Sequence, residues 1–358
     1  MPRTGFTTSK RGLGATTNRP FAGSEINPSQ LVTIHGCAYI SEQDAMGLRK
    51  RLLRWHMLRF SGIEQGNATW EGYTRARNAA TAGEKEEALL SISQARYEES
   101  LAAPLDGYSR RDLKPLLNGA DALEIGCNHG GASLAYFELY GLRSITGLDI
   151  GRSPAETAAK FFQRHGVSLD RYRFVDGFAE LLPFPAQSFD AVLSFDVWEH
   201  VQDVGKAMDE CHRVLRPGGR LLLAFPSYYH PTQHHLFEVT HAPFIHWFWR
   251  PDELMDVYWD LLDEHPRYRD RIGVFRRPLK RWERLRIING TTLAGFRRIV
   301  RRAAWSRVQF IPLPFGVAGT AVQRRPVLRV LRWLTAPATR LPLLEEAANQ
   351  RIVYILTR

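Results

Sequence analysis

The run Leu123-Glu124-Ile125-Gly126-Cys127-Asn128-His129-Gly130-Gly131 decides the fold. An apolar, strand-like stretch at 120–126 ends in a glycine-containing turn, and a helical stretch at 131–140 follows at once. Small residues at Gly126, Gly130 and Gly131 let a backbone turn tightly and approach a ligand closely. Taken alone, such a turn is a weak signal. Its spacing, Gly-x-x-x-Gly-Gly, differs from the Gly-x-Gly-x-x-Gly of a dinucleotide fold. Outward from it, strand runs at 144–150, 172–176, 189–195 and 220–225 alternate with helical stretches at 154–165 and 204–215. This alternation predicts an α/β fold, a parallel sheet with helices on both faces, whose ligands sit at the carboxyl ends of the strands. The second strand ends in Gly147-Leu148-Asp149-Ile150. An acidic residue about 20 positions after the glycine-rich turn is placed to accept hydrogen bonds from ribose hydroxyls, a stronger reading than a helix cap.

The chain has 358 residues, 48 basic against 37 acidic, and a net charge of +11. Its 44% hydrophobic and 24% charged composition is globular and argues against a largely disordered chain. No charge-free apolar run reaches the roughly 18 residues that cross a bilayer. Cys37, Cys127 and Cys211 lie far apart. They form neither a metal knuckle nor a disulfide framework, which fits a reducing, cytoplasmic compartment. The charge is uneven: residues 1–119 carry +4, residues 120–260 carry −8, and residues 261–358 carry +15. The basic last third suggests an anionic partner.

Residues 1–30 lack apolar periodicity and are expected to form a disordered tail. Their Arg- and Ser/Thr-rich, acid-poor composition is also that of an organellar transit peptide. Residues 31–119 read as a helical N-terminal extension. Ser41 and Asp44 form a capping pair before Leu48, Leu52 and Trp55, which share one helix face. Thr81 and Glu84 form another before Ala88, Ile92 and Ala95, with a Gly- and Asn-containing stretch at 62–78 between the two helices. Within residues 120–358, a long insertion at about 227–305 carries Phe244, Trp247, Phe248, Trp249, Tyr258 and Trp259. These aromatics either line an acceptor pocket or form the core of a helical lid. The last strands are expected at 307–313 and 351–357. Between them, Val327, Val330, Leu331 and Leu334 alternate with Arg329 and Arg332. That pattern suits a basic helix lying on an anionic membrane surface, or one covering a sheet edge.

Five segments together resemble the class I S-adenosylmethionine-dependent methyltransferases, and within them the methyltransferase type 11 family with its ubiquinone-biosynthesis-type enzymes. The segments are Glu124-Ile125-Gly126-Cys127, Asp149, Leu182-Pro183-Phe184-Pro185 with Ser188-Phe189-Asp190, Asp196-Val197-Trp198-Glu199-His200-Val201, and Arg213-Val214-Leu215-Arg216-Pro217-Gly218-Gly219-Arg220. The resemblance covers residues 120–226. It implies a Rossmann-like, mostly parallel seven-stranded sheet with an antiparallel last strand, and S-adenosylmethionine as cofactor. Carried over by position, Glu124 orients the first loop and the methionine ammonium. Gly126, Cys127, Asn128 and Gly130 pass the methionine, with Cys127 a small filler and not a nucleophile. Asp149 binds the ribose with Ile150 beside it. Asp176, Gly177, Phe178 and Ala179 flank the adenine, and Asp196 closes the set at the end of the fourth strand. Two departures stand out: Asn128 replaces a usual Gly, and Gly177-Phe178-Ala179 replaces the usual Gly-Asp-Ala, so the adenine amine loses its usual Asp unless the nearby Asp176 substitutes. Phe178 either stacks on the base or belongs to the core.

Methyl transfer from a sulfonium is an in-line displacement that needs alignment of the acceptor and, for a hydroxyl, a proton acceptor. Histidine suits that role near neutral pH. His200, His230 and His234 are the candidates, His230 and His234 from a cluster with His235, His241 and His246. His234, His235 and Glu238 are also conceivable metal ligands, but their spacing matches no standard motif, and no metal is assigned. The sequence therefore points to methyl transfer to a small-molecule, lipid or glycan acceptor, at oxygen. Peripheral contact with an anionic membrane accompanies that reading. A nucleic-acid methyltransferase is the alternative raised by the basic last third, but no Asn/Asp-Pro-Pro-Tyr/Phe segment, catalytic Cys–Pro pair or RNA-binding module is present. A non-catalytic scaffold is disfavoured by Glu124, Gly126, Gly130 and Asp149, and a nicotinamide oxidoreductase by the glycine spacing.

Overall fold

The computed structural model describes residues 42–61, 68–231, 234–236, 239–264, 289–314, 333, 336–342 and 344–358. The expected tail, Ser41, Cys37, Glu238 and the amphipathic run at 327–332 with Leu334 lie outside these residues. Two compact units divide at Met46. The described part of the first is the opening turn of helix α1 (Glu42–Arg59); the second, Gly47–Arg358, contains everything else discussed.

Helices α2 (Ala68–Asn78) and α3 (Ala82–Ala102) precede the sheet. It is built from β1 (Asp121–Ile125), β2 (Ser144–Asp149), β3 (Tyr172–Asp176), β4 (Phe189–Phe195) and β5 (Leu215–Phe225), joined through helices α4 (Gly131–Tyr140), α5 (Arg152–Arg164) and α6 (Val204–Val214). After α7 (Pro251–Glu264) and α8 (Leu293–Arg302) come β6 (Arg307–Phe310), the short β7 (Leu313–Pro314) and β8 (Asn349–Thr357). The strand order is β3-β2-β1-β4-β5-β8-β6. The first five strands pair in parallel, and β8 inserts antiparallel to both β5 and β6. The sheet is thus mostly parallel with a reversed last strand. It gains one strand over the expected seven, because β7 also pairs with β8. The stretch expected as one strand at 307–313 is two, β6 and β7.

Both faces of the sheet are covered, so the strands are almost continuously apolar. On β5, Leu221, Leu223 and Phe225 face a core with Met208 and Cys211 of α6 and Phe296 of α8. Leu222 and Ala224 face the other core, with Leu134 and Phe137 of α4 and Phe161 and Phe162 of α5. A third cluster is separate from the sheet. Leu53 and Met57 of α1 pack there with Leu236, Ile245 and the α7 residues Leu254, Tyr258 and Leu261. Trp249 and Trp259 pack against it, so these aromatics of the insertion are core and not pocket lining.

Two local readings are corrected. The stretch 62–78 is not merely a linker, since 68–78 form α2. Gly72 is accommodated because a Cβ there would sit 2.4 Å from Ile92 Cγ1, so its absence lets α2 press onto α3. On α1 the shared face of Leu48, Leu52 and Trp55 is the exposed one, while Leu53 and Met57 are buried. The pattern is ambiguous because apolar residues line both sides of this helix. At α3, Thr81 Oγ1 accepts the Glu84 amide at 3.1 Å, and Glu84 Oε2 accepts the Ala80 amide at 2.8 Å.

Candidate active site

Two cavities open at the carboxyl ends of the parallel strands and share Gly126, Asn128 and Asp196. Gly126 follows β1 with φ +83°, and a Cβ there would lie 2.1 Å from Val197 Cγ2. Only glycine lets this loop pass under the β4 end. Asn128 also holds a left-handed φ, +47°. Asn tolerates that region better than most non-glycine residues, so the loop survives the departure from Gly. Gly130 has a different role. Its φ is +79° and a Cβ would fall 2.6 Å from Ala158 Cβ, so it serves loop–helix packing, and it is not on the wall of either cavity.

The cavity between the β1, β2 and β4 ends has a volume of about 360 Å³. Asp149 sits in its wall: Oδ2 accepts the Asn128 amide at 2.6 Å and Oδ1 the Ile150 amide at 2.7 Å. Burial raises its carboxyl, while those two amides oppose the rise. Ile150 and Phe178 line the same cavity and are 65% and 53% exposed, which removes the core reading of Phe178. Gly177 and Ala179 complete that side. Asp176 does not line it; its Oδ1 accepts the Gly151 amide at 2.6 Å and so shapes the β2 turn.

The adjoining cavity, of about 240 Å³, takes much of its wall from outside the sheet. Ser93, Arg96 and Glu99 come from α3, Tyr108 from the segment after it, and Arg351 from β8. The α3 helix lies close because Gly131 has no side chain: a Cβ would meet Ser93 O at 2.1 Å. Ser93 Oγ in turn donates to His129 O at 2.7 Å. Glu124 is buried here and bonded to the Ser133 hydroxyl. Burial pushes its carboxyl up to about 7, with Asp149 adding to the rise and Ser133 opposing it. Cys127 is buried and its thiol is pushed well up by burial, so it is no thiolate nucleophile. Tyr73 of α2 reaches the loop, its hydroxyl 3.1 Å from Asn128 Nδ2. These residues of α2, α3 and β8 lack any sequence signal tying them to the loop; the capping pair located α3 but not its neighbour.

Asp196 lies between the cavities with φ +56°, and both its oxygens accept from Arg351, at 2.8 and 2.9 Å. The guanidinium holds the Asp196 carboxyl low despite burial. Its place in the wall is therefore that of an ion pair spanning β4 and β8, which engages both oxygens of its carboxylate. Of the three candidate histidines, His200 lines the larger cavity; burial lowers it to about 4, leaving a neutral imidazole at pH 7. His230 and His234 are buried elsewhere and line neither cavity. His234 Nδ1 accepts the Leu236 amide at 3.1 Å. The structure instead brings His235 to His200, with ring centroids 5.1 Å apart.

This sheet order, with its reversed strand next to β5 and its cavities at the glycine loop, is the one that the resemblance to class I S-adenosylmethionine-dependent methyltransferases implies. Residues 123–223 match the family described as methyltransferase domain. A phthiotriol/phenolphthiotriol dimycocerosates methyltransferase of Mycobacterium leprae is 31% identical over 140 residues, 39% of this chain and 50% of that protein. A ubiquinone biosynthesis O-methyltransferase of Pseudomonas aeruginosa is 34% identical over 113 residues, 32% of this chain and 47% of that protein. A solved S-adenosylmethionine-dependent methyltransferase from Mesorhizobium loti has 16% identity and a TM-score of 0.44, covering 72% of this chain and all of that one. Residues 123–223 are therefore a methyltransferase domain, with S-adenosylmethionine as its cofactor. The chain spans about half the length of the curated relatives just described. Among the described residues, no helix is long and apolar enough to cross a membrane.

Proposed function

We propose that this chain transfers the methyl group of S-adenosylmethionine to a hydroxyl of a small-molecule, lipid or glycan acceptor. The observation that carries the reading is the pair of joined cavities with opposite chemistry at their ends. One end offers the Asp149 carboxylate between two exposed apolar side chains, Ile150 and Phe178. The other offers a cation, Arg96, beside the buried Glu124. An adenosine needs an acceptor for its ribose hydroxyls and apolar cover for its base. A methionine tail needs a cation for its carboxylate and an acceptor for its ammonium. The residues fit that demand in the order in which the molecule presents it.

When bound, the cofactor supplies an activated methyl group on a sulfonium. The chain's own residues do the rest. Asp149 accepts the ribose hydroxyls and is already aligned by two backbone amides. Ile150 and Phe178 cover the adenine, with Gly177 and Ala179 along its edge. Arg96 pairs with the carboxylate, and Glu124 holds the ammonium. His200 is the candidate histidine at the cavity and meets the acceptor oxygen. The relatives' names speak of lipid-like and quinone-precursor acceptors, in keeping with an oxygen acceptor on a small or lipid molecule. The same acceptor class, with the basic last third, supports peripheral contact with an anionic membrane and a cytoplasmic location.

Calorimetric titration of the purified chain with S-adenosylmethionine tests the reading, followed by transfer of labelled methyl to lipid and small-molecule fractions of a cell extract. Saturable one-to-one binding and label in one of those fractions are expected. No binding by the intact chain would sink the reading.

A further inference from the structure

We propose that Glu199, His200 and His235 form a divalent-cation site beside the cofactor cavity. One donor atom from each of the three lies within 4.8 Å of the other two, and His200 Nε2 is 3.8 Å from Glu199 Oε1. Two ligands on one metal, at bond lengths of about 2.1 Å, stand up to about 4.2 Å apart. Small side-chain rotations close the difference. The residues come from separate places: Glu199 and His200 follow β4, and His235 comes from the segment after β5. It is the fold, not sequence spacing, that assembles the set.

Independent of that clustering is the state of Glu199. Its side chain is 6% exposed, and Oε2 is buried with no hydrogen-bond partner among the described residues. A buried carboxylate oxygen is costly without a cation or donor facing it. The cleft lined by Glu199 and His235 has a volume of about 10 Å³, the room of a single water or ion. The loop is also held in place from outside. Asn289 Nδ2 donates to Trp198 O and Val201 O, both at 2.7 Å, and its amide to Glu199 O at 2.6 Å.

Two imidazoles and one carboxylate suit zinc, manganese, iron or cobalt better than calcium. Three protein ligands leave at least one coordination position for an outside oxygen. His200 would then meet the acceptor through a shared metal and not as a base, with the cation lowering the pKa of a bound hydroxyl. That use rests on the methyl-transfer reading; cation binding itself does not.

The test uses the full chain, stripped with chelator, dialysed, and titrated with Zn²⁺ by calorimetry and with Co²⁺ by visible absorption. One equivalent of Zn²⁺ is expected, with a Co²⁺ absorption band that Zn²⁺ displaces. His235→Ala and the half-exposed site's His200→Ala should each weaken Zn²⁺ binding by at least about 100-fold, beyond the 10–100-fold of an outer-shell change. Thermal melting without metal shows that each variant is folded; if one is not, the other carries the comparison. Absence of Zn²⁺ and Co²⁺ binding by the intact chain overturns the proposal. So does binding that both folded variants leave unchanged. Titration with S-adenosylmethionine, run separately, reports on the methyl-transfer reading, so either claim can fail alone.

Discussion

The two ends of the cofactor trough are built in different ways. At the Asp149 end, the wall comes from short loops that directly follow β2, β3 and β4. At the Arg96 end, much of it comes from α3 and β8, more than 25 residues before and 200 after the glycine loop. The first end is made by local sequence at the carboxyl edge of a sheet. The second exists only because Gly131 lets a helix from the extension settle on the loop. The strand-end motifs therefore describe the first end and supply only part of the wall of the second.

Five changes break or sharpen that contrast. The largest effect is expected where both ends meet. Gly126→Ala forces a Cβ toward Val197 at positive φ, costing about 3 kcal/mol of stability from left-handed strain and overpacking together. Urea unfolding measures this, with Gly218→Ala as a comparison: its φ is +77° but its Cβ meets nothing within 4 Å. At the ribose end, Asp149→Ala removes a charged acceptor, a loss of about 2.7 kcal/mol or ~100-fold in cofactor affinity by calorimetry. An unchanged affinity would break the assignment.

Glu124 sharpens the contrast through pH. Its carboxyl is raised to about 7 by burial, against about 4.3 in an unfolded chain. The native state therefore keeps a proton that the unfolded state releases. The stability this contributes is full below about pH 4 and is lost as pH rises through about 7. Between about pH 4.5 and 7.5 the ligand-free chain should lose about 3 kcal/mol from this group, and Glu124→Gln should flatten that part of a pH series of unfolding curves.

Arg96→Ala probes the end supplied by α3. Cofactor affinity should fall about 10–30-fold for one lost charge-assisted contact, and Arg96→Lys should restore part of it. If Arg96→Ala binds S-adenosylmethionine as tightly as the parent, the methionine does not lie at this end. The smallest effect belongs to Phe178→Ala. The side chain is 53% exposed, so unfolding should be unaffected, while the affinity falls about 3–10-fold for one lost stacking contact.

Much of the sheet was legible because each of its signals is local. β3 and β4 lie where their apolar runs do, and Gly131–Tyr140 is a helix as read. The Asn128 departure was visible too, and its physical solution, a left-handed residue bonded to Tyr73, needed the fold. Other readings failed where two local patterns competed. The exposed and buried sides of α1 are both apolar, and only packing against α7 chose Leu53 and Met57. Arg49 reinforces that choice from the same helix, its Nε and Nη2 donating to Glu253 at 2.9 and 3.0 Å. His230 and His234 shared a cluster with His235 in sequence, yet only His235 faces His200.

By itself the sequence determined the α/β class, the glycine loop, the acidic residue after β2 and the resemblance to the methyltransferases. Each of those rests on residues a few positions apart, where backbone geometry and the two-residue period of a strand leave little choice. Tertiary structure alone decided that Arg351 occupies Asp196, that α3 walls the Arg96 end, and that Glu199, His200 and His235 meet. Those contacts join residues 35 to 155 positions apart. Their distance is set by how helices pack on a sheet, and no local preference encodes it.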